Sequence, residues 1–427
     1  MAGEGDYLDK NMRTDVFEGV KVAEFAWVIV GPSTSRYLAE HGATVVKIES
    51  HKRLDTLRGT SPFAGGRPTV DSSMAFGRHN PNKYSVSIDL QHPNGQKLAW
   101  RLIRWADIVT ESFSPGTVEK WGLGYEDVRK VRPDIIYLSS SMQGRGGPHS
   151  GYAGYGMNAV NLCGFTEISG WPDRPPAAPH GAYTDYINAR FNALALIAAL
   201  DYRRRTGKGQ WIEQSQFETS LHFFAPPLMD YRANGRVMGR DGNRSPEAAP
   251  HGVFPCRGDD NWIAIAVLNE GQWHGFCRAI GRPDLAEDEA FAGLAARKAH
   301  EDELEKVVAG WTGNLSPPEA ETVLQKAGVP CHIVSRPRDV YEDIQLKARR
   351  YFVPLEHPVM GRQNYEPQSS FILSKTPRRI ERPSPCLGEH NEYVFKTLLG
   401  MTDDEIAEHI ADGSITTELP GQFKVSM

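Results

Sequence analysis

The feature that most constrains this chain is a strand–helix rhythm running through its first third. Val20 to Phe25 is a short β-rich run, and Ala43 to Glu49 is a second one. Between them, Gly31-Pro32 precedes a helical stretch from Ser33 to Glu40, closed by Gly42. Proline just inside a helix start and glycine just past its end is the asymmetry a helix shows. Ser85 to Leu90 alternates apolar and polar residues and reads as a strand. A helix follows over Gly95 to Trp105, with Leu98, Leu102 and Ile103 on one face, and then a short buried strand at Ile108-Val109. Glu126 to Val131 is a helix and Ile135 to Leu138 a strand. Connections of this length join parallel strands by right-handed crossovers. The rhythm predicts an α/β fold with a large, open, mostly parallel Rossmann-like sheet.

From Gly144 the texture changes. Gly144 to Pro148 and Gly151 to Gly156 are glycine-rich turns, and Trp171 to Pro179 is a proline-rich loop. A strong helix follows Asp185, carrying Ile187, Phe191, Leu194, Ala195 and Ala198 on one face. It ends near Gly207, before a strand beginning at Trp211. These elements define a first region over residues 1–230. A polar, Arg- and Gly-rich stretch from Tyr231 to Pro250 reads as a linker. A smaller domain is expected over 251–334, with a strand at Trp262 to Val267 and helices near Gln272, Glu301 and Pro318. A mixed tail over 339–427 carries a helix at Asp403 to Ile410.

Charge and motif content exclude several functions. The chain has 48 Lys+Arg against 53 Asp+Glu, a net charge of −5. A protein held by nucleic-acid phosphates is normally basic, so no nucleic-acid partner is expected. No apolar run reaches the roughly 18 residues of a membrane span, so no membrane partner is expected either. The polar, acidic start lacks the apolar segment of a secretory signal. The five cysteines are scattered and form no CxxC, which fits a reduced cytoplasm and no metal site. The first turn, Val28 to Pro32, has no GxGxxG, so a bound dinucleotide cofactor is not expected. A helix N-terminus there still suits a phosphate-bearing ligand.

Two groups of residues are candidates for chemistry. Lys52-Arg53, Asn82-Lys83 and Lys120 follow or flank strands of the sheet, whose carboxyl ends are where such sheets bind ligands. Each alone also reads as a solvated cation. Asp185 opens the strongest helix, where it serves either as an N-cap or as a carboxylate nucleophile favoured by the helix dipole.

An ordered set of motifs resembles the class III CoA-transferases, the CaiB/BaiF family. It comprises Val22 to Pro32 with Ala43 to Glu49, Asn82-Lys83 with Ser85 to Leu90, and Glu111 to Gly116 with Gly122 to Tyr125. Gly181 to Asp185, Thr206 to Gln210, Ala327 to Cys331 and Leu387 to His390 complete it. The resemblance implies two protomers threaded through each other like linked rings. Each would hold a large α/β domain built from both chain ends and a small inserted domain. It implies CoA and acyl-CoA as substrates, with no tightly bound cofactor. By position it makes Asp185 the catalytic nucleophile, Lys83 and Lys120 contacts of the CoA phosphates, and Val28 and Val30 the backbone turn along the adenine and pantetheine path. The chain departs from the family at Tyr84, at Ala189 and in the bulk of Trp27 and Ile29.

The activity implied is transfer of CoA from an acyl-CoA, with succinyl-CoA the common family donor, to a carboxylic acid. Asp185 would carry it as an anhydride and then as an aspartyl-CoA thioester. Two alternatives stand beside it. An α-methylacyl-CoA racemase needs a His-Asp pair where this chain has Tyr155-Gly156. A CoA-binding subunit of a hetero-oligomer would normally lack the Asp. The partner is thus a second copy or a related subunit. Phe25, Trp27, Tyr155 and Tyr183 are candidates either for an acceptor pocket or for the core. The benzylsuccinate CoA-transferase branch is the nearest subgroup by resemblance.

Overall fold

The computed structural model describes residues 15–419. The start read above as lacking a secretory signal lies mostly outside them. Two compact units are formed, one from residues 15–163, 180–229 and 349–419, the other from 164–179 and 230–348.

The first unit is built on six strands, β1 (Lys21–Glu24), β2 (Thr44–Glu49), β3 (Tyr84–Ser87), β4 (Ile108–Glu111), β5 (Ile136–Ser141) and β6 (Gln210–Ser215). They pair in the order β3-β2-β1-β4-β5-β6, all parallel. Successive side chains point to opposite faces, so the inner strands need apolar residues on both. Val22, Val45, Ile108, Ile136 and Leu138 pack on one face against Leu38, Leu196, Ala199 and Leu200. Ala23, Val46, Ile48, Val86 and Val109 pack on the other against Leu98, Leu102, Ile103 and Val128. These double-sided strands are the short apolar runs legible in the sequence.

The helix Tyr183–Thr206 is the longest element, 24 residues or about 36 Å. It ends where Gly207 adopts φ 72°, its N–H bonding the Arg203 carbonyl at 2.8 Å. β3 stops at Ser87, short of the expected Leu90, and the chain tail bonds along its outer edge. The Asp89 N–H donates to the Ser414 carbonyl at 2.9 Å, and the Thr416 N–H to that of Ser87 at 3.1 Å. Residues 353–365 form an antiparallel hairpin not anticipated from the sequence.

The second unit carries a three-stranded antiparallel sheet, β7 (His251–Pro255), β8 (Trp262–Ala266) and β9 (Cys331–Ile333). Its helices Glu270–Ala279, Glu301–Thr312 and Pro317–Lys326 enclose Trp273, Phe276, Leu304, Val308 and Leu324. The stretch read as a linker from Tyr231 begins inside a helix, Ala225–Asn234. Residues 164–179, expected with the large domain, cluster with this unit instead. Among the described residues no helix is long and apolar enough to cross a membrane.

Candidate active site

The strand order reverses between β1 and β4. In open parallel sheets ligands bind at such a point, outside the carboxyl ends of the strands. A cleft of about 650 Å³ lies there. It is walled by the turns after β1, β2, β4 and β5, including Val28, Arg53, Phe113 and Met142, and by the glycine-rich segment ending at Tyr155.

The turn after β1 is held from several sides. The Trp27 N–H donates to Ser112 Oγ at 3.0 Å, and its indole Nε1 to the Ile48 carbonyl at 3.1 Å. Val28 sits at φ 67°, a left-handed conformation that β-branched residues rarely adopt. Its N–H donates to both Asp55 carboxylate oxygens, at 3.1 and 3.2 Å. Gly31 has no room for a side chain: an added Cβ would fall 2.1 Å from the Ala26 methyl.

Of the residues expected to meet CoA, Val28 lines the cleft. Val30 does not: it is buried in the first turn of the helix Val30–Ala39, its carbonyl accepting the Thr34 hydroxyl at 2.7 Å. Lys83 also departs from expectation. It is fully buried, and its ammonium donates to Glu24 (2.8 Å), the Pro32 carbonyl (2.8 Å) and Asn80 Oδ1 (3.0 Å). All three donors are taken, so none remains for a phosphate. Lys83 stands just before β3 and is turned into the protein. Lys83 and Lys47 hold the Glu24 carboxyl below its usual range against the opposing effect of burial, while burial pushes the Lys83 ammonium down to about 7 despite Glu24 beside it.

Lys120 ends the short helix Thr117–Lys120, exposed and free of ion-pair partners among the described residues. Its neighbours Thr117 and Trp121 line the cleft. Arg53, noted in the sequence but passed over by the resemblance, lines the cleft directly. It is exposed and its guanidinium is unpaired among the described residues. Lys52 beside it is engaged by Asp89 at 2.8 Å.

Asp185 is the third residue of its helix, not the cap. The flanking residue is Ala182, and no side chain caps that end. Asp185 is 4% exposed, and its carboxylate has no hydrogen-bond or ion-pair partner among the described residues. Burial alone pushes its carboxyl up to about 7. It lies flat against Gly156, where an added Cβ would fall 2.5 Å from Oδ1. The Thr184 hydroxyl donates to the Gly156 carbonyl at 3.0 Å, tying the two segments together. Tyr155, next to Gly156, is part of the cleft wall. A buried carboxylate without a hydrogen-bond partner among the described residues therefore stands one residue behind the cleft.

The aromatic candidates divide. Trp27 packs edge-on against Phe113 (centroids 5.3 Å apart), and Phe113 against Trp121 (5.4 Å), making one wall of the cleft. Phe25 is core, 3% exposed. Tyr183 is at the surface at the helix start and is not part of the cleft wall. Among the described residues no cluster of His, Cys, Asp and Glu has the arrangement of a metal site.

Comparison with known proteins bears on this geometry. A family model described as CoA-transferase family III matches residues 17–391. Succinyl-CoA–D-citramalate CoA-transferase of Chloroflexus aurantiacus is 32% identical, over 91% of this chain and 96% of that one. The beta subunit of succinyl-CoA–L-malate CoA-transferase from the same organism is 31% identical, over 93% and 98%. The crystal structure of a CaiB/BaiF family protein from Brucella suis superposes with a TM-score of 0.82 at 30% identity, covering 90% of this chain and all of that one.

Proposed function

The chain belongs to CoA-transferase family III, and we propose that it moves CoA from succinyl-CoA to a carboxylic acid through covalent intermediates on Asp185. The observation that carries this reading is the Asp185 carboxylate, buried, unpaired and one residue behind the cleft. Its raised pKa makes it a stronger base and nucleophile than a solvated carboxylate, yet leaves it substantially ionised near neutral pH.

The steps balance as an exchange. An Asp185 oxygen attacks the donor thioester carbonyl, the C–S bond breaks, and CoA thiolate leaves a mixed anhydride. The thiolate then attacks the aspartyl carbonyl, releasing the donor acid and leaving an enzyme-bound CoA thioester. The acceptor carboxylate attacks that thioester, forming a second anhydride, and returning thiolate takes the acceptor acyl group as its CoA ester. Asp185 is regenerated. Each tetrahedral oxyanion requires N–H donors, for which the glycine-rich segment 144–156 is the candidate. Arg53, with Lys120 at the rim, is the candidate for the CoA phosphates, and Val28 for the path of the pantetheine.

Succinyl-CoA as donor rests on the names of two relatives. The working assembly is an interlocked dimer of two copies, or of this chain and a related subunit, as the beta-subunit relative suggests. It works in the cytoplasm, in keeping with its scattered, unpaired cysteines. The test is a panel of mono- and dicarboxylic acids incubated with succinyl-CoA, with new thioesters read by mass spectrometry. Formation of one acyl-CoA together with free succinate in equal amount is expected. Succinate released without any new thioester would refute transfer.

A further inference from the structure

Lys83, Glu24, Lys47 and Asp55 form a line of buried charge running from β3 to the turn after β1. Lys83 pairs with Glu24 at 2.8 Å, Lys47 lies 3.3 Å from Glu24, and Lys47 pairs with Asp55 at 3.0 Å. All four side chains are fully buried. The line ends on Asp55, whose carboxylate also accepts the Leu57 N–H at 3.0 Å. What remains of its acceptor capacity goes to the Val28 N–H. Val28 is one of four non-glycine residues at positive φ among the described residues, and the sole β-branched one.

We infer that Asp55 is a positioning residue: it holds Val28 in its left-handed conformation and so sets the shape of the cleft wall against which CoA lies. This rests on the proposal that CoA occupies that cleft. A β-branched residue leaves such a conformation unless its surroundings enforce it. Here the carboxylate takes the one backbone donor that must point inward, and Lys47 in turn keeps the carboxylate in place. Arg58 and Glu49 close the set: the Asp55 N–H donates to Glu49 Oε1 at 3.2 Å, and Arg58 pairs with Glu49 at 2.8 Å. Lys83, expected at the phosphates, thereby belongs to the support of the wall.

The inference is tested by changing the clamp and the strain separately. Asp55→Ala should raise the KM for succinyl-CoA by about tenfold, with kcat changed by less than about threefold. Adding Val28→Gly to Asp55→Ala should bring KM back to within about threefold of wild type, because glycine adopts the same φ without strain. Val28→Asn should restore it partly and Val28→Ala least, following tolerance of the left-handed region. An unchanged KM in Asp55→Ala, or recovery by alanine equal to that by glycine, would overturn the inference. Should Asp55→Ala not fold, a folded Asp55→Ala/Val28→Gly protein supports it, and an unfolded one overturns it. Arg53→Ala separates this from the reading it rests on. A raised donor KM in Arg53→Ala with none in Asp55→Ala sinks the clamp alone, whereas no effect in either removes CoA from the cleft.

Discussion

Replacing Gly156 by alanine puts a methyl where the Asp185 carboxylate lies. The added carbon would stand 2.5 Å from Oδ1, 2.6 Å from Cγ and 2.7 Å from Oδ2, whereas ordinary contact begins at 3.4 Å. The short aspartate side chain must swing away by about 1 Å, and a misplacement of that size costs on the order of 100-fold in rate. This corresponds to about 2.7 kcal/mol in the barrier. The fold should survive. Gly156 is not at positive φ and begins a helix, where alanine is favoured by about 0.5–1 kcal/mol. That gain offsets part of an overpacking cost of about 1–3 kcal/mol. Steady-state assays that follow the new thioester should show kcat down about 100-fold and the donor KM little changed. Gly156 does not line the cleft, so donor binding has no reason to fail. A folded Gly156→Ala protein with wild-type kcat would refute the idea that this carboxylate must sit where it does.

Arg53→Ala and Lys120→Ala should each raise the donor KM about tenfold, the scale of a charge-assisted contact, and leave the acceptor KM alone. Lys83→Ala should lower stability by about 3 kcal/mol, measured by denaturant titration, because it removes a buried partner of Glu24. Turnover should rise with pH and level off above about 7, as burial holds the Asp185 carboxyl there and only the ionised form attacks. Between the unfolded value of 3.8 and the folded value of about 7 the folded chain binds the extra proton. Stability therefore falls as pH rises through that window and is flat beyond it. Asp185→Asn removes the penalty, so at pH 8 the variant should be more stable than wild type by on the order of 2–4 kcal/mol, with the difference vanishing below about pH 4. An α-methylacyl-CoA incubated in deuterated water should gain no deuterium at its α-carbon, since neither Tyr155 nor Gly156 bears a base for neutral pH.

The sheet was legible because its central strands are buried on both faces, and Val22 with Ala23 or Val45, Val46 and Ile48 have no other reason to gather so much apolar side chain in so few residues. The edge of β3 was not, because its last hydrogen bonds come from residues more than three hundred positions away. The same limit explains what the sequence left open at the site. Lys83 and Lys120 look alike in sequence, and only the direction of β3 and the position of Glu24 send one inward and leave the other at the surface. Asp185 was visible at a helix start, but its third position in the helix and its lack of partners depend on Ala182 and Gly156. Arg53 could have been ranked higher from the strand end it follows. Asp55 carried no signal of its own, since its importance comes from the φ of Val28, which a string of letters does not disclose.

Covalent capture on Asp185 tests the central claim most directly. With succinyl-CoA present and no acceptor acid, the protein should accumulate an acyl or CoA adduct. Hydroxylamine should convert this to a hydroxamate on the peptide containing Asp185, seen as a single mass shift. Asp185→Asn, folded and free of deamidation, should give no such peptide. A hydroxamate on another residue, or wild-type transfer by the Asn variant, would contradict the account.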